Sequence, residues 1–403
     1  VSVSTNPGTN PGATTAVTAV TSITGVGAAL RAWNQGLDGP LLGLSVVLAG
    51  FGLLMILSAS SLSADATFGD AFHYVTRQLV GLTLGAGLAS AIVLSPWRLV
   101  RRMAWPSYLV TLALLVAVMT PLGHSAKGAT RWIDVGPFNV QPSELSKVAL
   151  VLILADFLAN NRGRLKDLVG VVMPGLGLLA PLVFFVVLQK DFGTTVILLG
   201  LTGVLLFVAG LQWRWVFAGF GGAAALLALL VVIEPYRVKR LTSFRDPFAD
   251  ADGGGYQVVQ GWIALATGGA WGTGIGSGVA QRGFLPEAHT DFISAVVGEE
   301  LGVLGFVAVV LLQIGLVWRA SVIARKSADL FGLFAAMGIG AMFGAQAIIN
   351  LGVVGGLLPA KGLVLPFLSY GASAAVVHTA CVGLLVRISM EQAPAKAPPS
   401  APA

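Results

Sequence analysis

The sequence predicts an all-α integral membrane protein with about ten transmembrane helices and a large extracytoplasmic loop between the seventh and the eighth. Three observations carry this. Of the 403 residues, 56% are hydrophobic and only 10% are charged, whereas an ordinary soluble domain is about a quarter charged. Mean hydropathy is +0.85, and the apolar residues gather in runs near the roughly 20 residues that a helix needs to cross a bilayer. The 52 glycines suit helices that approach one another closely.

In chain order, residues 1–39 are rich in Thr, Ser, Gly, Ala, Asn and Pro with almost no charge. That composition predicts a disordered cytoplasmic tail. No charged stretch precedes a short apolar core at the start, so a cleaved signal peptide is not expected. A polytopic domain follows over residues 40–390, with apolar runs at about 40–60, 78–95, 103–122, 143–159, 168–188, 192–210, 214–234, 296–318, 330–352 and 372–390. Residues 391–403 form a second disordered cytoplasmic tail.

Orientation follows from Lys and Arg in the short loops. One side collects Arg98, Arg101, Arg102, Arg162, Arg164, Lys166, Arg319, Arg325 and Lys326. The short loops of the other hold only Arg77, Lys127, Arg131, Lys190 and Lys361; the 235–295 loop is basic early on (Arg237, Lys239, Arg240, Arg245), but loops of that length obey the charge rule poorly. This bias places both termini in the cytoplasm and turns the loops 123–142, 235–295 and 353–371 outward. In the longest of them, Tyr256 to Ala266 is too short and polar to span and suits an amphipathic helix at the interface. The glycines from Gly268 to Gly278 that follow read as a flexible run.

The net charge of +6 is spread over short loops and explained by topology, so nucleic acid is not an expected partner. The single cysteine, Cys381, excludes an intramolecular disulfide. No P-loop, nucleophile elbow or His/Cys metal cluster occurs, which argues against a soluble nucleotide enzyme.

Charge crowds instead at residues 284–300, where Glu287, His289 and Asp291 precede an apolar helix that carries Glu299 and Glu300. Ionisable groups at membrane depth are costly and mark functional candidates. Asp291 has two readings: a general base whose pKa apolar neighbours adjust, or an acid at a helix N-terminus. Glu287 and His289 are secondary candidates, and a loop histidine is commonly a structural hydrogen-bonding residue.

A second constellation runs from Arg131 to Lys147. Ser143 after Pro142 suits an N-cap, and Glu144 and Lys147 share a helix face. In a soluble helix this would be a local ion pair, but in a span Lys147 needs a partner or an anionic ligand. Arg131 beside Trp132 suits phosphate binding or interfacial anchoring. The third stretch, residues 350–373, has too many glycines and prolines for a helix. Such backbone is tolerated at membrane depth only when buried in protein or lining a wet cavity. Lys361 is its one charge, suited to an anionic headgroup or to snorkelling.

These stretches carry a resemblance. Residues 128–147 (GATRWIDVGPFNVQPSELSK), 285–293 (LPEAHTDFI) and 356–371 (GLLPAKGLVLPFLSYG) resemble the signatures of the SEDS proteins (shape, elongation, division and sporulation). The similarity extends over roughly 40–390. LPAKG and residues 240–250 (RLTSFRDPFAD) look more like the cell-division branch than the elongation branch. Lys190 stands where the family commonly has proline, and Ala372 replaces a usual glycine.

The resemblance implies a peptidoglycan glycosyltransferase of the bacterial inner membrane that polymerises lipid II at the division septum. The family's essential aspartate matches Asp291, and its important Glu and Lys match Glu144 and Lys147. The implied reaction is an inverting transfer with Asp291 as base. Lys147, Arg131 and Lys361 would face the leaving pyrophosphate, with a divalent cation (Mg or Mn) as a candidate cofactor. Implied partners are lipid II, undecaprenyl-linked glycan, a single-span class B penicillin-binding protein and other division proteins. Two rival classes share the features read from the residues themselves: a lipid II flippase and a non-catalytic division scaffold.

Overall fold

Each apolar run of the sequence lies on a helix. The structure, a computed structural model, describes residues 36–391 except 127–128, 137, 165–167, 234–243, 252, 254 and 360–361. Both predicted tails therefore lie almost wholly outside the described residues. In order, the helices are α1 (Gly39–Phe68), α2 (His73–Leu94), α3 (Trp97–Arg102), α4 (Ala104–Ala117), α5 (Pro142–Asn160), α6 (Met173–Leu188), α7 (Phe192–Val208), α8 (Trp213–Ile233), α9 (Tyr256–Gly268), α10 (Ile293–Lys326), α11 (Leu330–Val354) and α12 (Ala372–Met390). Among the described residues, seven helical stretches are long and apolar enough to cross a membrane: α1, α2, α3 with α4, α6 with the turn before it, α10, α11 and α12. The apolar helices α7 and α8 are shorter. α5 has 19 residues but carries Glu144, Lys147 and Asp156.

The expectation of an all-helical chain misses one element. Residues 123–140 form a three-stranded antiparallel sheet, β1 (Gly123–Ala126), β2 (Ala129–Val135) and β3 (Phe138–Val140). His124 pairs with Trp132, and Ile133 with Val140. The strands are too short for a clear alternation of side chains, so the pattern was masked by the motif it contains.

Small residues set the helix spacing. A Cβ on Gly81 of α2 would lie 2.7 Å from the Ala372 carbonyl, and one on Gly383 of α12 would lie 2.6 Å from Ala89 Cα. Bare backbone on these faces lets α2 and α12 pack as the most extensive helix pair, as membrane helices do when small residues line the contact. The main core joins α1, α5, α7, α11 and α12, and a second cluster lies beneath residues 258–297.

The end that carries both termini is tied by polar contacts. Ser389 Oγ donates to the Gly36 carbonyl at 2.8 Å. Asp38 caps α1 through Leu41 N at 2.9 Å and pairs with Arg319 of α10. Arg101 and Asp156 join α3 to α5 at 2.7 Å.

At the opposite end, α10 is broken. Gly302 has φ 69° and ψ −168° within an otherwise helical run. Residues 269–274 fill the break: Thr273 N and Gly274 N donate to the Glu299 and Glu300 carbonyls at 2.9 and 3.0 Å, and Val303 N donates to Gly269 O at 2.9 Å. The glycine run that the sequence presents as flexible is thus a backbone splint. It supplies the partners a helix loses when it breaks. α9, where the sequence places an amphipathic helix, packs on α10 beside this splint.

Backbone contact of this kind admits no side chain at Gly302. A Cβ there would press on Ala270 O and lie 2.5 Å from Gly272 N, in a left-handed conformation. Gly302→Val should therefore cost more than about 2 kcal/mol, read as a large drop in melting temperature in detergent. Gly87→Ala, on an exposed face of α2 with nothing within 4 Å, should leave it nearly unchanged. Equal melting of the two variants would refute the splint.

Candidate functional site

The charged turn before α10 owes its position to an amide. Asn350, near the end of α11, donates through Nδ2 to the Asp291 carbonyl at 3.0 Å and to the Leu363 carbonyl at 2.7 Å. Its Oδ1 accepts from Ser294 Oγ at 3.2 Å. One buried side chain thus fastens the Asp291 turn to the unwound segment between α11 and α12. The N-cap of α10 is Phe292, which makes no side-chain cap bond, so Asp291 does not occupy the cap position. Its half-buried carboxylate faces Gly362, where a Cβ would lie 2.9 Å from Oδ2.

His289 and Glu287 belong to the same turn. The His289 carbonyl accepts from Tyr370 N at 2.9 Å, and its ring lies 4.3 Å from Tyr74 and 5.6 Å from Tyr370. Glu287 has φ 57° and accepts Thr290 Oγ1 at 3.0 Å on its carboxylate. The structure therefore gathers Asp291 and His289 against residues 362–371, with Glu287 bonded to Thr290 within the same turn. Lys361 lies outside the described residues.

Glu144 and Lys147 are paired at 2.7 Å, and the Lys147 side chain is fully buried. Glu144 borders a cavity of about 180 Å³ with Arg77, Trp132, Val364 and Tyr370. Lys147 is not among the residues that line it. The expectation that Lys147 meets the leaving group directly does not match this placement: its ammonium serves Glu144.

Arg131 is likewise occupied. Its guanidinium donates to the Gln189 carbonyl at 3.2 Å and the Lys190 carbonyl at 2.6 Å, which locks β2 to the turn between α6 and α7. Ser143 is not the N-cap of α5; Gln141 is, with Pro142 at the first helical position. Ser143 Oγ instead donates to Asp191 Oδ2 at 2.8 Å. Asp191 caps α7 through Thr194 N at 3.1 Å.

Glu299 and Glu300 are buried struts. Glu299 accepts Val279 N at 2.8 Å and Ala280 N at 3.1 Å, while Glu300 accepts Ser58 Oγ at 2.6 Å. They hold residues 276–282 against α1 and α10.

Sequence reasoning missed Asn350, Gln78, Arg77 and Tyr370 as site residues. Gln78 receives Gly371 N at 3.0 Å and reaches the Ser369 carbonyl at 3.4 Å. The available signal was an amide inside an apolar run, which asks for a partner. Burial pushes the Tyr370 phenol up, and the Arg77 guanidinium beside it works the other way. Its hydroxyl is therefore neutral at physiological pH. Among the described residues no group of three or more His, Cys, Asp or Glu could hold a metal ion.

The chain is similar to known proteins over most of its length. A family model described as a cell cycle protein, covering FtsW, RodA and SpoVE, matches residues 40–393. A probable peptidoglycan glycosyltransferase FtsW of Geobacter sp. (strain M18) is 39% identical over 360 residues, 88% of this chain and 97% of the relative. The corresponding protein of Halorhodospira halophila is 41% identical over 376 residues, 92% of this chain and 95% of its own length. A chain from a peptidoglycan synthase complex, solved to show how polymerization and crosslinking are coordinated, superposes with TM-score 0.72 at 29% identity, covering 88% of this chain and 97% of that one. RodA of Thermus thermophilus superposes with TM-score 0.66 at 28% identity, covering 88% and 97%.

The buried pair makes a stability prediction. Lys147→Met strands the Glu144 carboxylate and should cost about 3 kcal/mol, the low end for a broken buried pair because Glu144 borders a cavity. Adding Glu144→Gln should recover most of the lost melting temperature. A double variant no more stable than the single one would show that the pair is not the unit.

Proposed function

The chain belongs to the FtsW, RodA and SpoVE family and is a peptidoglycan glycosyltransferase, a multi-pass protein of the bacterial inner membrane; we propose that it polymerises lipid II on the outer face at the division septum. Asp291 is the proposed general base. The observation that carries this is the carboxylate fixed beside Gly362 by a turn that Asn350 fastens to the unwound segment.

In the proposed step, Asp291 takes the proton from the 4-hydroxyl of the acceptor GlcNAc as that oxygen attacks C1 of the donor MurNAc. The C1–O bond to the pyrophosphate breaks on the opposite face, with inversion, and its electron pair goes to the phosphate oxygen. Fixing base and acceptor together supplies the orientation part of the rate enhancement. Charge that grows on the leaving group calls for cations already in place. Lys361 is one proposed contact. Lys147 contributes by holding Glu144, and Arg131 by holding β2. Glu287 and His289 shape the turn and are proposed to touch the sugar. A divalent cation (Mg or Mn) stays a proposed cofactor; with no group of three or more His, Cys, Asp or Glu to hold it among the described residues, it would rest chiefly on the pyrophosphate oxygens.

The proposed partner is a class B penicillin-binding protein, alongside other division proteins. In support, the superposable chain above works in a complex that couples polymerization to crosslinking. Cytoplasmic termini are proposed from the Lys and Arg bias; the Ser389–Gly36 contact, which holds the two ends of the described chain together, supports a common side for them.

Purified Asp291→Asn should melt like the wild type and polymerise lipid II at least about a hundredfold more slowly, the usual share of a general base. Polymerisation at the normal rate would remove Asp291 from the mechanism. Wild-type protein that moves lipid II across vesicles without making glycan would favour the flippase instead.

A further inference from the structure

Two chambers meet at the outer end of α2 and α12. The first is the cavity of about 180 Å³ beside Arg77, Trp132, Glu144 and Tyr370. The second, about 210 Å³, is walled by Gly81, Leu84, Val140, Leu145, Val376 and Val377. They share Asn139, Gln141, Ala372 and Ser373, so they adjoin across a short polar rim. Ser373 Oγ donates to the Asn139 carbonyl at 2.7 Å and receives Gln141 N at 3.1 Å, which fixes the rim where β3, α5 and α12 converge.

The two chambers differ in chemistry along one line. The first presents a guanidinium, a phenol and an indole, together with one carboxylate, Glu144, whose charge Lys147 offsets at 2.7 Å. Arg77 therefore leaves this chamber with an excess positive charge. The second chamber is walled by aliphatic side chains and opened by Gly81. A cationic head chamber joined to an aliphatic tail chamber fits an amphiphile with an anionic head.

We propose that the pair is the site of the lipid-linked donor, with Arg77 holding the diphosphate and the Gly81–Leu84–Val376 chamber taking the first isoprene units. Arg77 lines the head chamber and is hydrogen-bonded there to the neutral Tyr370 hydroxyl, whereas Lys147 is spent on Glu144 and Arg131 on two carbonyls, and neither is among the residues that line it. A guanidinium grips a phosphate through two parallel hydrogen bonds, a geometry a lysine cannot match. The segment 362–371 separates the two halves of the reaction: Gly362 touches Asp291, while Val364 and Tyr370 wall the head chamber. A diphosphate at Arg77 would thus lie across one strand of chain from the base. A larger apolar groove between α6, α7 and α8, about 290 Å³, is lined by no charged residue and offers an anionic head nothing.

This assignment rests on the glycosyltransferase reading, and its test separates the two. The probe is farnesyl pyrophosphate, titrated into the full-length protein in detergent micelles with binding read by calorimetry, and inorganic pyrophosphate serves as the head alone. Arg77→Gln should weaken farnesyl pyrophosphate at least about tenfold, the usual worth of a charge-assisted contact, and Arg77→Lys should lose part of that. Val376→Phe, which fills the tail chamber, should weaken farnesyl pyrophosphate while leaving inorganic pyrophosphate unchanged. Asp291→Asn should bind both probes as the wild type does, although it polymerises at least about a hundredfold more slowly. Unaltered farnesyl pyrophosphate binding in Arg77→Gln, or no binding by the wild type, would overturn the site without touching the role of Asp291. An Asp291→Asn variant that still polymerises would overturn that role and leave the binding result standing. Melting curves identify any variant that fails to fold. Should Arg77→Gln be such a variant, the Arg77→Lys and Val376→Phe titrations decide.

Discussion

An unwound chain buried among helices must have every backbone group satisfied, and this constraint shapes the outer half of the molecule. Residues 365–369 are buried, yet they make no helix or sheet ladder. Besides the turn bonds of Leu368 N and Ser369 N to the Leu365 carbonyl, the segment and its flanks are held by amide side chains from three surrounding helices. Gln313 of α10 reaches the Pro366 carbonyl at 2.9 Å, Asn350 of α11 the Leu363 carbonyl, and Gln78 of α2 the Ser369 carbonyl and the Gly371 amide. Ser369 Oγ accepts Leu365 N at 2.9 Å from within the segment. Each unsatisfied group at this depth would cost several kcal/mol, so these amides are as much a part of the fold as the apolar core. Gly52 completes the seat, since its missing Cβ makes room for the carbonyl of Phe367, which is held at φ 62°.

The same economy of partners explains the broken helix. Where α10 parts at Gly302, the freed carbonyls of Glu299 and Glu300 take amides from a glycine loop, and the glutamate side chains of the same two residues bind that loop and α1. Backbone and side chain act on one segment from two sides. Two acids that look like candidate chemistry in the sequence are spent on this fastening.

Legibility in the sequence followed the range of each interaction. The apolar runs were plain because a helix of about 20 residues announces itself locally. Asp291, His289 and Glu287 were found because they crowd one turn, and Glu144 with Lys147 because three residues put them on one helix face. Arg131 was read as a phosphate ligand because its true partners, the carbonyls of Gln189 and Lys190, are 58 and 59 residues away. Arg77 was passed over for the same reason: its neighbours in the cavity come from β2, α5 and the segment before α12. Asn350 stood at the head of a recognised motif, but its role depends on Asp291 and Leu363 meeting in space. The small sheet went unseen because strands of three to seven residues carry too little periodicity.

The division of polar groups between the two ends bears on what the fold can do. At the end with the termini, charged groups are matched in compact pairs: Asp38 with Arg319, Arg101 with Asp156, and Arg387 with Glu391 at 2.7 Å. Trp97 Nε1 also donates to Asp329 at 3.0 Å, and Arg101 lies over the Phe331 ring. These contacts cross between α1 and α10, α3 and α5, and α3 and α11, so the helices are stitched together there. Opening that end would require several of them to break in concert. At the other end, amides, hydroxyls, the half-buried Asp291, Arg77 and the Glu144–Lys147 pair surround an unwound segment with chambers on one side of it. An enzyme that works from one face of a membrane needs a cavity open to that face and a closed floor beneath it. A transporter that alternates needs both ends to part in turn. Ion pairs that join different helices close the end with the first and last described residues, as the first requirement asks, while the half-buried Asp291 lies at the other end beside the unwound segment.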